Sequence, residues 1–175
     1  MGEMRIQPTN GRWFSYEKNM DDSSVHLVHL EPMLVATAYG FGDNPEELAW
    51  KTFVAWAAPK CLLDDPEAHP IFGLNNPYPR PGSAKYGYEF WVKVGPDVEP
   101  GGCIRIEEFF GGLYAVARCE VKGHPERIPE GWQKLATWCK ENHHQLGHHP
   151  ALERFLSNPG DLENLVMELY CPVEQ

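Results

Sequence analysis

The apolar positions of this chain alternate between a strand-like pattern and a helical period, and they do so twice in the same order. The stretch 25–41, with Met33-Leu-Val-Ala-Thr-Ala-Tyr at its centre, predicts a strand. Asp43-Asn-Pro-Glu-Glu predicts a helix start, with Pro45 in the first turn and acids that suit the helix dipole. Trp50, Phe53, Val54 and Ala57 follow at the spacing of one buried helical face. Pro59 and Leu62-Leu-Asp-Asp-Pro end that helix. His69–Leu74 reads as a short strand, 75–83 as a loop rich in Asn, Pro and Gly, and Tyr86–Gly95 as a strand.

Beyond a Pro- and Gly-rich hinge at 96–102, strand patterns flank Gly111-Gly112, over Ile104–Phe110 and Leu113–Val121. Pro129 opens a second helix, in which Trp132, Leu135, Ala136 and Cys139 repeat the stripe of the first. His149–Leu156 predicts a strand, 157–161 a turn, and Leu165–Val173 a closing strand. Residues 1–24 are polar apart from Trp13, Phe14 and Tyr16. They read as an N-terminal extension whose aromatic residues could dock on the body or on a partner.

The two halves match residue by residue. Asn44-Pro-Glu46 answers His124-Pro-Glu126, Trp50 and Trp56 answer Trp132 and Trp138, His69-Pro70 answers His149-Pro150, and Asn76-Pro77 answers Asn158-Pro159. Tyr88-Glu-Phe-Trp91 answers Met167-Glu-Leu-Tyr170. Five matches in one order at near-constant spacing point to an internal duplication. The expectation is an α+β domain over 25–175, made of duplicated βαββ units (25–95 and 103–173) related by a pseudo-twofold axis, with a central ligand groove.

Side chains alternate along a strand, so Glu89 shares a face with Trp91 and Glu168 shares one with Tyr170. The opposite faces carry Tyr88, Phe90 and Val92, and Met167, Leu169, Cys171 and Val173, which suit contact with the helices. A carboxylate inside an apolar run is costly unless it is paired. Its recurrence at both places predicts an aromatic-walled pocket with one or two acids where those faces meet the groove.

The Trp-x-x-Leu-x-x-Trp helix, Pro150-Ala-Leu-Glu153, the Asn-Pro turn and the ending Glu168-Leu-Tyr-Cys-Pro-Val173 resemble the GyrI-like small-molecule-binding family. This is also known as the bacterial transcription-activator effector-binding domain. The resemblance spans about 25–173 and implies a stand-alone member of a two-copy βαββ fold, with a central pocket for amphipathic, often cationic or polyaromatic, compounds. It implies that Glu168 is the pocket acid, with Glu89 and Glu153 as weaker counterparts. Stand-alone members are implied to sequester drugs, and some to hydrolyse cyclopropane-bearing alkylators with a pocket Glu aided by aromatic groups. In the hydrolytic version Glu168 and Tyr170 are the catalytic pair.

Two other residues enter the candidate site by position. Trp56 and Trp138 lie six residues past Trp50 and Trp132, about 240° round the helix, which takes them off the centre of the stripe, either to line a groove edge or to pack on a strand. Trp50 and Trp132 themselves read as core. The ligand-binding set is therefore Glu168, Glu89, Trp91, Tyr170, Trp138, Trp56 and Glu153.

Charge and composition narrow the partners. A formal charge of −10 without any Lys/Arg run argues against direct nucleic-acid binding. No apolar stretch is long enough for a membrane span, and no signal-peptide pattern is present. The five Cys are scattered and read as reduced core residues of a cytoplasmic protein. His143, His144, His148 and His149 have metal-like spacing but lack a known Cys or carboxylate pattern beside them, so no metal or other cofactor is expected. The leading expectation is a multidrug-type small-molecule-binding protein for hydrophobic or cationic compounds. The alternatives are a hydrolase of electrophilic toxins and a protein-interaction module.

Overall fold

The computed structural model describes residues 25–174, so the aromatic residues Trp13, Phe14 and Tyr16 lie outside the described residues. Eight strands and two α-helices follow in the order β1 (His26–Leu30), β2 (Met33–Gly42), α1 (Pro45–Ala57), β3 (Ile71–Asn75), β4 (Tyr86–Val94), β5 (Arg105–Phe109), β6 (Gly112–Glu120), α2 (Arg127–Glu141), β7 (Leu152–Phe155) and β8 (Val166–Pro172). All strands join one sheet, ordered β1-β6-β8-β7-β3-β4-β2-β5. Every pairing in it is antiparallel.

Several boundaries differ from the sequence reading, each for a local reason. The stretch 25–41 is two strands, because Pro32 interrupts the run and the chain crosses to another part of the sheet. The second helix begins at Arg127, with Pro129 accommodated in its first turn. Strand β7 starts only at Leu152. Ahead of it the Pro150 carbonyl accepts from the Tyr114 hydroxyl at 2.8 Å and His149 Nε2 lies 2.8 Å from the Leu113 carbonyl. These side-chain contacts replace the ladder that Pro150 cannot donate to.

The connections dictate the shape. In a flat sheet β1 and β2 would lie six strand spacings apart, about 29 Å, yet Leu30 and Met33 are three Cα steps apart, at most about 11 Å. The same mismatch holds for β5 and β6, joined by Phe110 and Gly111. The sheet therefore curls into a half-barrel until its two ends meet. At the meeting point the two links run side by side, between the Leu30–Gly112 and Met33–Phe109 pairs of one shared register. Gly111 has φ +77°, and a Cβ there would run into the Leu30 carbonyl oxygen.

The curl gives the sheet two different faces. The inner face is filled by Val35, Phe72, Leu74, Trp91, Phe109, Tyr114, Val116, Leu152 and Tyr170. The outer face carries both helices. Ala49, Phe53 and Ala57 of α1, and Leu135 and Cys139 of α2, pack on Ala36, Ala38, Tyr88, Phe90, Val92, Ala115, Met167, Leu169 and Cys171. Strand alternation thus sorts the apolar residues as the sequence pattern implied. Among the described residues no helix is long and apolar enough to cross a membrane.

Gly111→Ala should cost about 1–3 kcal/mol of stability, the range for forcing a side chain into such backbone, measured by chemical denaturation. A loss below about 0.5 kcal/mol would contradict the close approach of Gly111 to the Leu30 carbonyl.

Candidate functional site

The inner face holds Glu89 and Glu168, the two acids that the matching stretches of sequence singled out. Ladder pairing sets Arg118, Glu168, Arg154, Phe72, Trp91, Thr37 and Arg105 in one row across the sheet. Within this frame each acid accepts from the aromatic residue two positions on. Trp91 Nε1 donates to Glu89 Oε2 at 2.8 Å, and the Tyr170 hydroxyl donates to Glu168 Oε2 at 3.1 Å. Each also has an arginine nearby: Arg105 lies 3.9 Å from Glu89, and Arg154 lies 3.8 Å from Glu168. Glu89 is buried and takes a further bond from Asn76 Nδ2 at 2.8 Å. Burial, with the charge of Glu168 beside it, pushes the Tyr170 phenol up to about 12.

These two acids do not meet. Glu89 on β4 and Glu168 on β8 are separated by β3 and β7, and the apolar Phe72, Leu74 and Leu152 lie between them. Close packing and arginine pairing satisfy both carboxylates within the sheet.

The third acid has different surroundings. Glu153 alternates to the outer face, at the seam where β3 and β7 join the two halves, directly opposite Gly73 in the ladder. A cavity of about 150 Å³ opens there, lined by Gly73, Leu74, Asn75, Tyr78, Trp132, Ala151 and Glu153. Glu153 Oε2 accepts from the Tyr88 hydroxyl at 2.6 Å, and Oε1 accepts from Trp132 Nε1 at 3.1 Å. Gly73 makes room for this contact, since a Cβ there would collide with the Tyr88 hydroxyl. Aromatic contacts continue away from the site, from Tyr88 to Phe90 at 5.2 Å and from Phe90 to Trp50 at 5.0 Å.

The electrostatics follow from that packing. Burial raises the Glu153 carboxyl above the usual carboxylate range, and the charge of Glu46 adds to this. The bonds from Tyr88 and Trp132 oppose the rise without cancelling it. Burial first, and then the Glu153 charge, push Tyr88 well above an ordinary phenol and raise Tyr78. Behind them the Tyr86 hydroxyl reaches both Glu46 oxygens at 2.7 and 2.8 Å. Among the described residues no Lys or Arg forms an ion pair with Glu153. The site is an aromatic cavity with a carboxyl held by neutral donors.

The remaining expected residues lie elsewhere. Trp138 stacks on His144 at 5.4 Å, and Trp56 lies under Lys60 at 5.1 Å, its buried indole N–H without an acceptor among the described residues. Neither borders the seam cavity. Trp132 does, although its place on the helical stripe read as core. Tyr78 gave no signal beyond loop composition. The Asn76-Pro77 and Asn158-Pro159 match and the Leu-Glu motif at 152–153 marked the neighbourhood without showing which face it fronts. Among the described residues no group of three or more His, Cys, Asp and Glu is placed to hold a metal ion.

A curled antiparallel sheet with two helices on its outer face and an acid at the seam defines an α+β domain with a groove. The chain belongs to the GyrI-like small molecule binding domain family, whose model matches residues 23–174. A comparison with curated proteins gives no match. Among solved structures, the EcmrR C-terminal domain superposes with a TM-score of 0.63 at 13% identity, covering 87% of this chain and 98% of that one. In the EcmrR–DNA complex the chain spans 57% of the longer EcmrR chain, covering 87% of its own length at TM-score 0.64 and 15% identity. SAV2435 bound to tetraphenylphosphonium matches with a TM-score of 0.53 at 12% identity, covering 86% and 94% of the two chains. A hydrolase from Listeria innocua matches with a TM-score of 0.60 at 12% identity, covering 87% and 92%. At these identities the likenesses establish the fold.

The raised Glu153 carboxyl fixes a pH signature. Its folded-state pKa lies above its unfolded value near 4.5, so the folded state holds the proton more tightly. Its contribution favours folding at low pH and is lost as pH rises from the unfolded value through the folded one. Glu153→Gln, which cannot ionise, should lack this decline. Denaturation of both proteins across pH 4 to 8 should show wild type losing ground to the variant as pH rises. Parallel profiles would contradict the assignment.

Proposed function

We propose that this protein captures small organic cations, aromatic or amphipathic, in the seam cavity. Glu153 supplies the charge, Trp132 and Tyr78 supply the rings that line the cavity, and the buried Tyr88 holds Glu153 in place from behind. The observation that carries this reading is a carboxyl in the wall of an aromatic cavity with no cation of its own among the described residues. Such a group is stabilised by a positive charge brought from outside, and the ring faces add to that attraction. Membership of a small-molecule-binding family supports the reading, as does the lipophilic aromatic cation bound to SAV2435. One charge and several ring faces constrain ligand shape weakly, which suits multidrug-type capture. In this reading Glu89 with Trp91, and Glu168 with Tyr170, hold the inner face of the curled sheet rather than the ligand.

The reading includes the pseudo-twofold duplication. Exchanging each strand with its counterpart in the other half reverses the strand order into itself, which supports two copies about a central axis. That axis would pass through the Gly73–Glu153 pair, placing the cavity at the junction of the copies. Gly73 in one copy leaves the space that Glu153 of the other occupies.

A specific contact favours hydrolysis of an electrophilic compound, such as a cyclopropane-bearing alkylator, as a second reading. A carboxyl of raised pKa bonded to a phenol at 2.6 Å has the equipment of a general acid and base. Mass spectrometry of the products would reveal turnover, which Glu153→Gln should abolish.

For capture, titration of tetraphenylphosphonium by calorimetry should show Glu153→Gln weakening binding roughly ten- to a hundredfold, from the loss of about 1.5–3 kcal/mol. Glu168→Gln on the inner face should stay within about twofold. The reverse ranking would move the site to the inner face of the sheet. Circular dichroism of both variants separates lost binding from lost fold.

A further inference from the structure

Resting on that reading, we infer that Tyr78 is a specificity-determining residue, a movable wall that sets the size of ligand the seam cavity admits. The volume raises the question. Drug-sized ligands occupy sites of about 300–1,000 Å³, whereas this cavity measures about 150 Å³. That is room for a single ring, so a polycyclic cation enters only if a wall gives way.

The other walls are fixed. Gly73, Leu74 and Asn75 belong to the central strand β3 and Glu153 to β7, with Ala151 immediately ahead of that strand. Trp132 sits on α2, its indole N–H held by Glu153. Moving any of these breaks ladder hydrogen bonds or core packing.

Tyr78 is placed differently. It lies between β3 and β4 and is 57% exposed, while its ring still closes one side of the cavity. The loop that carries it is anchored at its foot. The Asn76 amide N–H donates to the Gly87 carbonyl at 2.9 Å, that of Gly87 donates to the Pro77 carbonyl at 3.0 Å, and Asn76 Nδ2 donates to the buried Glu89. Past this foot, the hydrogen bonds of residues 78–85 among the described residues stay inside the loop, joining Arg80, Ser83 and Lys85. Tyr78 therefore swings outward without cost to the sheet.

Two ligand classes follow. A one-ring ammonium sits under the closed Tyr78 and gains its ring face. A polycyclic cation displaces the ring and gains nothing from it.

The experiment compares benzyltrimethylammonium and tetraphenylphosphonium by calorimetry on wild type, Tyr78→Phe, Tyr78→Ala and Glu153→Gln. Tyr78→Ala should weaken benzyltrimethylammonium about tenfold while leaving tetraphenylphosphonium unchanged or tighter, and Tyr78→Phe should restore the wild-type ratio. If Glu153→Gln weakens both probes but Tyr78→Ala leaves their ratio unchanged, or weakens both equally, the role of Tyr78 is overturned and capture by Glu153 stands. If wild type binds neither probe, or Glu153→Gln changes nothing, the capture reading fails and the inference falls with it.

Discussion

Leu30 and Met33 belong to strands that a flat sheet would hold about 29 Å apart, and only Glu31 and Pro32 join them. Phe109 and Gly112 are bound by the same constraint from the other end. Two links too short for a flat sheet force eight strands to curl until their ends meet, and everything else in the molecule accommodates that closure. The inner face is packed by aromatic and branched side chains. The helices are left the outer face. Each covers the strands of its own half, α1 on β2 and β4 and α2 on β6 and β8. The pair β3 and β7 at the centre falls between them, and the cavity lies along that pair.

The three acids differ because of where this geometry leaves them. A buried carboxylate needs donors or a counter-charge. Glu89 and Glu168 receive both from the sheet itself, through Trp91 with Arg105 and through Tyr170 with Arg154. Glu153 receives donors alone, from Tyr88 and Trp132, and its carboxyl titrates above the ordinary range. An acid satisfied by arginine has little to offer a cationic ligand, whereas an acid held by neutral donors gains from one. The chemical division of labour among similar residues is thus set by the company each keeps.

Much of the architecture could be read from residue order. The stripes at Trp50–Ala57 and Trp132–Cys139 marked both helices, and alternation in Tyr88–Val94 and Met167–Val173 sorted helix-facing from inward-facing residues. Local period carries that information, because burial of one face follows directly from it. The division of 25–41 into two strands was less legible, since Pro32 permits a break without saying where the chain goes next. At the site, the repeat drew attention to Glu89 and Glu168, whereas Glu153 stood out through the Pro-x-Leu-Glu motif alone. Trp132 was hidden by its own helical stripe, which describes packing and is silent about a side chain's polar edge.

The sequence by itself determined the elements, the α+β class, and the faces on which Glu89, Trp91, Glu168 and Tyr170 lie. These depend on spacing along the chain, which any stretch carries within itself. Only the tertiary structure decided which acid fronts a cavity. That outcome depends on β3 pairing with β7 across the seam, Gly73 falling opposite Glu153, and Tyr78 folding back over the gap. The pairs across the seam join residues 80 or more positions apart, and no local pattern specifies them.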